Sequence, residues 1–185
     1  MPKLILGFVG QAGSGKNTAA QILKSKYNAE IFVFSDILHD ILKRLFLPPT
    51  RDNLIRLSQT VRETFGQDAL SNAMEKQVTE SKADIVVVDG IRRFEDIADL
   101  KKYPAFHLLE ITAPPEVRFE RLKRRKEKPG ETEMTWDDFQ AMSQRETEIH
   151  IAQVGEQAEF KVDNSGDLKA LEGQIDALIA KLRQF

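Results

Sequence analysis

The sequence predicts an α/β fold of three layers, in which a five-stranded parallel sheet carries helices on both faces. Three observations predict it. Short apolar runs alternate along the chain with longer segments of helical period, the arrangement that parallel strands joined by crossover helices require. The first apolar run passes straight into a glycine-rich stretch and then into a helical-period segment. A later run, IVVV at 85–88, reads as the central strand.

The elements follow in order. Leu4–Val9 (LILGFV) is the first buried strand, and a helix from about 16 to 26 comes after the glycine loop. Residues 31–34 (IFVF) form a second strand. Residues 36–47 (DILHDILKRLFL) are helical and stop at Pro48-Pro49, which cannot continue a helix. Residues 50–81 predict a long helix, or a pair broken near Gly66, with Leu54, Leu57, Val61 and Phe65 as its apolar stripe. The third, fourth and fifth strands are 85–88, 106–111 (FHLLEI) and 160–162 (FKV). The last helix, 167–182, sets Leu168, Leu171, Ile175, Leu178, Ile179 and Leu182 on one broad face, behind the start signal Asn164-Ser165-Gly166-Asp167. Between two helical segments, 123–136 (KRRKEKPGETEMTW) is polar and charged and contains Pro129-Gly130. Two readings stand for it: a solvated surface loop or a mobile lid.

Bulk composition narrows the partners. The 185 residues suit one domain with a full core. With 41% apolar and 30% charged residues the chain is an ordinary globular one. A net charge of -2 offers no basic face to nucleic acid or to a membrane. The absence of cysteine excludes disulfides and thiolate metal sites. The first apolar run is too short to span a bilayer or act as a signal, so cytoplasmic residence is the expectation. Small-molecule nucleotides are the expected partners, with the chain a monomer or a homodimer.

Chemistry begins at Gly10-Gln11-Ala12-Gly13-Ser14-Gly15-Lys16-Asn17-Thr18. A loop that wraps phosphate points successive backbone N–H groups inward, and residues without a side chain let it approach closely. Gly10, Gly13 and Gly15 stand where such a wrap needs them. The helix behind the loop aims its positive dipole end at the anion, and Lys16 adds a point charge within reach of the β- and γ-phosphates. Asn17 stands where a Mg²⁺-ligating hydroxyl is usual and offers a carbonyl oxygen instead. Thr18 is then placed to hydrogen-bond phosphate oxygens, with most Mg²⁺ contacts running through water.

Acids and arginines complete the constellation. Asp89 ends the central strand, at the sheet edge where ligands bind in such folds; it either orients metal-bound water or simply forms the turn with Gly90. Asp36, after the second strand, either faces an acceptor or caps the next helix. At 100° per residue, Arg56 lies opposite the stripe of the third helix, whereas Arg62 flanks it and looks toward a cleft. Arg118, Arg121 and Arg125 share a face within about 60° of arc. They are either a solvated face relieved by Glu116 and Glu120, or lid arginines that meet an anion. Arg145 follows the polar loop. His39, His107 and His150 show no ligand spacing.

GSGKNT (13–18) is similar to the GSGKGT loop of adenylate kinases, which also places Thr one residue past the usual hydroxyl. DGIR (89–92) resembles their DGFPR segment, one residue shorter. With RETFGQDA (62–69), APPEVRFERLKRR (113–125), TWDDF (135–139), RETE (145–148) and VDNSGDL (162–168), nearly the whole chain resembles small archaeal adenylate-kinase-related and dephospho-CoA-kinase-like P-loop proteins. The polar loop departs from them by being longer and more acidic. The resemblance implies a single three-layer P-loop NTPase domain over 1–185 with a small helical lid. Acceptor-binding helices are expected at about 36–81 and the lid at about 118–148. It implies an ATP- and Mg²⁺-dependent nucleoside monophosphate kinase. Gly13, Ser14, Gly15, Lys16, Asn17 and Thr18 would hold the donor, and Asn164, Ser165 and Gly166 would lie under its base. Asn17 and Asp89 would serve the metal. Asp36, Arg62, Arg92 and Arg145 would grip the acceptor, with Lys16, Arg92, Arg121 and Arg125 at the moving charge. Two alternatives remain: a hydroxyl acceptor, as in dephospho-CoA kinases, with Asp36 as base, and a nucleotide-binding switch without kinase activity.

Overall fold

The computed structural model describes residues 1–125 and 131–183. Pro129-Gly130, and with them part of the expected lid, lie outside the described residues. Strand β1 (Leu4–Val9) occupies the centre of the sheet. Helix α1 (Lys16–Tyr27) carries the chain to the edge strand β2 (Glu30–Val33). Three helices follow: α2 (Phe34–Arg44), α3 (Arg51–Phe65) and α4 (Ala69–Glu80). Strand β3 (Ile85–Asp89) then inserts between β2 and β1, β4 (Phe106–Thr112) lies on the far side of β1, and β5 (Phe160–Asp163) closes that edge. The order β2-β3-β1-β4-β5 is parallel in every pairing, as the alternating pattern predicts.

Side-chain alternation splits the core into two layers. Leu4, Leu6 and Phe8 of β1 join Ile85, Val87, Leu109 and Ile111 under α1 and under the last helix, α8 (Leu168–Leu182). Ile5 and Val9, with Val86, Val88, Phe106 and Leu108, face the other way, toward α2, α4 and α7 (Glu146–Glu156). Each fully buried side chain of this kind contributes about 1.5–3 kcal/mol. The strand order reverses around β1, so a crevice opens at the carboxyl ends of β1, β3 and β4. Helices α5 (Pro115–Arg125) and α6 (Trp136–Ser143) belong to the segment between β4 and α7. A capping box at Thr135 and Asp138 starts α6, and Phe119, Trp136 and Phe139 pack edge-to-face and stacked to hold it on α5. No helix among the described residues is long and apolar enough to cross a membrane.

Three local expectations are corrected. Helix α2 starts at Phe34, read from sequence as the end of the strand; its apolar side chain is buried inside the first helical turn. Asp36 is therefore a first-turn residue, not the cap, whose position Val33 holds. Phe65 and Leu168 leave their apolar stripes, at 75% and 55% exposure: Phe65 is the last residue of α3, and Leu168 is the first of α8 and borders a cavity. The helix pair broken at Gly66, where φ is 110°, is as the sequence predicts.

Candidate functional site

The loop from β1 to α1 is held by its neighbours before any ligand is considered. Gly13 and Gly15 sit at φ 81° and 96°, in the left-handed region that side chains disfavour. A Cβ on Gly13 would stand 2.6 Å from the Arg118 carbonyl oxygen, and one on Gly15 would run into the Asn164 amide. That amide donates to the Ser14 carbonyl at 2.8 Å, while the Asn164 backbone N–H donates to Thr112 O at 2.8 Å. The glycines thus serve close protein packing. No side chain caps α1, so its opening amides and dipole face the loop.

Lys16 is the centre of the charge distribution. Its ammonium donates to the Gly10 carbonyl at 2.6 Å. Burial lowers its pKa; Asp89 and then Glu148 pull the value back up, and Arg92 and Arg125 push it down. Four residues from three segments, the end of β3 with its turn, α5 and α7, therefore bring charge to one lysine. Asp89 forms the expected turn, its Oδ1 accepting from its neighbour Gly90 N–H at 2.7 Å, and the carboxylate also acts on Lys16. Asn17 and Thr18 are exposed in the first turn of α1. No group of three or more His, Cys, Asp or Glu gathers among the described residues. The oxygens of Asn17 and Asp89 suit a Mg²⁺ ion carried mainly by phosphate and water.

The arginines of α5 divide into distinct environments. Arg118 is 5% exposed; its Nη1 donates to the Ala12 carbonyl at 3.3 Å and its guanidinium lies 5.2 Å from the centre of the Phe139 ring. Burial lowers its pKa, against the pull of Glu148 and Glu116. Among the described residues, Arg118 Nε, Arg121 Nη1 and Ser14 Oγ are buried polar atoms without a hydrogen-bond partner. Such orphans are costly, and here they border the glycine loop. Arg125 pairs with the buried Glu131. The solvated-face reading therefore fails for Arg118 and Arg121.

Gly15, Thr18, Arg121, Asn164, Gly166, Leu168 and Leu171 line a cavity of about 170 Å³. Pockets for whole ligands run to ~300–1,000 Å³, so this one suits a part of a ligand such as a flat base. Ser165 is exposed and bound to Asp163. Asp167 caps α8 by accepting from Ala170 N–H, as the helix-start reading expects. A larger, open hollow of about 490 Å³, lined by Thr50, Asp52, Asn53, Ile55 and Arg56, lies on α3 and takes nothing from the loop.

Around the crevice the expected acceptor residues part company. Arg92 is exposed, and its charge is felt at Lys16. Asp36 is exposed, with His39 at 3.6 Å. Arg145 is exposed and supplies only the backbone cap position of α7. Arg62 does occupy the buried side of α3, but its guanidinium does not look into a cleft. Nη2 binds Asp96 Oδ1 at 2.7 Å and Nη1 donates to Gln67 O at 2.7 Å, inside the protein. Two residues at the site were not singled out from the sequence: Asp96, whose partners lie in the Arg92 turn and on α3, and Glu148, the last residue of RETE, whose Oε2 accepts from Ala12 N–H at 3.2 Å.

Comparison with known proteins agrees with this geometry. A family model described as an AAA domain matches residues 9–140. A UPF0200 protein of Hyperthermus butylicus is 28% identical over 180 residues, covering 97% of this chain and 95% of its own length. One from Methanocaldococcus jannaschii is 30% identical over 181 residues, covering 97% and 90%. Among solved structures, shikimate kinase from Bacteroides thetaiotaomicron superposes with a TM-score of 0.65 at 16% identity, covering 97% of this chain and 98% of that one. A gluconokinase from Sinorhizobium meliloti does so with a TM-score of 0.57 at 16% identity, covering 98% and 96%. At such identities the likeness speaks for the fold, a P-loop kinase-like one.

Proposed function

We propose that this chain, which belongs to the AAA domain family and to the UPF0200 proteins, is an ATP-dependent phosphotransferase that delivers the γ-phosphoryl group to a nucleoside monophosphate. One observation carries the reading: Ser14 Oγ, Arg118 Nε and Arg121 Nη1 are buried without partners beside a loop whose glycines hold left-handed backbone. These are donors set for an oxyanion that the protein itself does not supply.

Phosphoryl transfer leaves a protein little covalent chemistry and much positioning and charge neutralisation. Gly13, Ser14, Gly15, Lys16, Asn17 and Thr18 would hold the triphosphate, and the cavity at Asn164, Gly166, Leu168 and Leu171 would take the base. Mg²⁺, when bound, would supply neutralisation of the phosphate oxygens, and Asn17 and Asp89 would hold it through their oxygens and its water. Arg121, and Arg125 swung from Glu131, face the moving charge; Arg92 and Arg145 meet the acceptor phosphate. A single domain over 1–185, acceptor helices at about 36–81 and a lid at about 118–148 belong to this reading.

A second reading rests on the neighbours' names. Shikimate and gluconate carry hydroxyls and no phosphate, and exposed Asp36 at the start of α2 is the base such an acceptor needs. Mg-ATP with AMP, CMP, the deoxynucleoside monophosphates and dephospho-CoA, scored by ADP release, separates the two. Loss of turnover in Asp36→Asn with acceptor binding retained would favour the hydroxyl acceptor. ATP uptake without acceptor-stimulated ADP release would leave a nucleotide-binding switch, and no ATP uptake by calorimetry would end the proposal.

A further inference from the structure

The buried pair Arg62–Asp96 ties three segments together. Arg62 is 8% exposed and Asp96 2%. One arm of the guanidinium binds Asp96 Oδ1 at 2.7 Å, and the other donates to Gln67 O in the turn between α3 and α4. The second carboxylate oxygen, Oδ2, accepts from the backbone N–H of Arg92 at 2.9 Å and of Arg93 at 3.1 Å. Both oxygens of Asp96 are thus spent inside the protein, and two of their three bonds go to the turn that presents Arg92.

That turn needs such an anchor. It leaves β3 through Gly90 at φ 85°, buries Ile91 in the core, and exposes both Arg92 and Arg93. Past Ile91, the Asp96 carboxylate receives the backbone of the two arginines, while their side chains stay on the solvent side. A buried ion pair is a poor device for raw stability, since a hydrophobic replacement often serves as well. It is a good device for fixing one backbone against another, because carboxylate and guanidinium define both distance and direction.

We infer that Arg62 and Asp96 are positioning residues: the pair sets the Arg92 turn in register with the α3–α4 hairpin, so that Arg92 meets the acceptor phosphate. The inference rests on the kinase reading for its consequence, but not for its geometry, and the test separates the two. Asp96→Asn, Arg62→Lys, Arg92→Ala and the double variant Asp96→Asn/Arg92→Ala are assayed with the acceptor that wild type uses best. Asp96→Asn is expected to raise the acceptor KM by about tenfold or to lower kcat comparably, while KM for ATP stays within about twofold. In the Arg92→Ala background the same change is expected to add less than about twofold, since it acts through that side chain. An additive effect in the double variant, or equal losses for ATP and acceptor, would overturn the inference by making the pair a general brace. Amide hydrogen exchange provides a readout independent of any acceptor. In Asp96→Asn the Arg92 and Arg93 amides should exchange at least about tenfold faster, with those of β1 and β3 unchanged; retained protection would equally overturn it. If Asp96→Asn does not fold, Arg62→Lys, which keeps the charge and loses the fork, decides the same two readouts. If wild type phosphorylates nothing in the panel, the kinase reading falls and amide exchange alone decides the strut.

Discussion

The two sides of the crevice use arginine in opposite ways. Beside the glycine loop, Arg121 carries a buried nitrogen that no atom of the described residues accepts from. On α3, Arg62 is buried as well, but Asp96 and the Gln67 carbonyl consume both arms of its fork. Burial alone therefore does not mark an anion-binding arginine. What marks it is burial with donors left over, because the missing hydrogen bonds are a cost that only a ligand removes.

The sharpest way to break this comparison is to cut each arginine to the same apolar side chain. Arg62→Met strands the Asp96 carboxylate in the interior and is expected to lower stability by about 3–5 kcal/mol. Arg121→Met strands nothing. It should leave the melting temperature unchanged or slightly raised, while turnover falls by about 10- to 100-fold through the loss of charge neutralisation. Chemical denaturation and single-turnover ADP release read the two effects. Equal stability losses in both variants would show that Arg121 is structural and erase the distinction.

A smaller effect tests how the donor loop is held. Gly15→Ala places a side chain at φ 96° and against the Asn164 amide. A strained left-handed residue costs about 1–3 kcal/mol, and displacement of Asn164 also opens the base cavity. Adding Asn164→Ala should restore part of the stability and none of the ATP affinity. If it restored neither, the contact between this loop and the turn before α8 would not be what demands the glycine.

The same contrast explains what could be read from the chain alone. The loop, Lys16 and the first turn of the helix behind it lie within nine consecutive residues, 10–18, and their chemistry is local, so spacing sufficed. Helical phase also put Arg62 on the buried side of α3 correctly. It could not say what waited there, because the answer, Asp96, lies 34 residues on. Glu148 is 136 residues from its partner Ala12, and no pattern in α7 announces a contact made by folding. The apolar stripes overran at Phe65 and Leu168 for a related reason: periodicity does not show that one closes its helix and the other opens its helix beside a cavity.

Lys16 supplies a test that needs no acceptor. Its pKa is lowered from 10.5, first by burial, so the folded chain binds fewer protons there than the unfolded chain in the window between the lowered value and 10.5. Stability from this group therefore rises with pH through that window, and below it the full cost of the buried charge is present. ATP affinity should move the other way, falling as the ammonium is lost. Lys16→Arg, which stays charged, should flatten both trends. Parallel trends, both rising or both falling, would mean that Lys16 is not the group that meets the triphosphate.

The smallest expected effect belongs to Glu148. Its carboxylate accepts from the Ala12 amide and raises the pKa of Lys16, so it presents negative charge where the donor's phosphates would lie. Entry of a triphosphate has to displace that contact and then tolerate a like charge beside it. Glu148→Gln keeps the shape and removes the charge, and ATP affinity without metal is expected to rise by about three- to tenfold, in line with a charge-assisted contact at a partly buried site. With Mg²⁺ present the gain should shrink, since the cation screens the repulsion. A loss of affinity confined to the Mg²⁺ condition would reverse the assignment: Glu148 would then be serving the metal's water, and the donor side would carry a second acid beside Asp89.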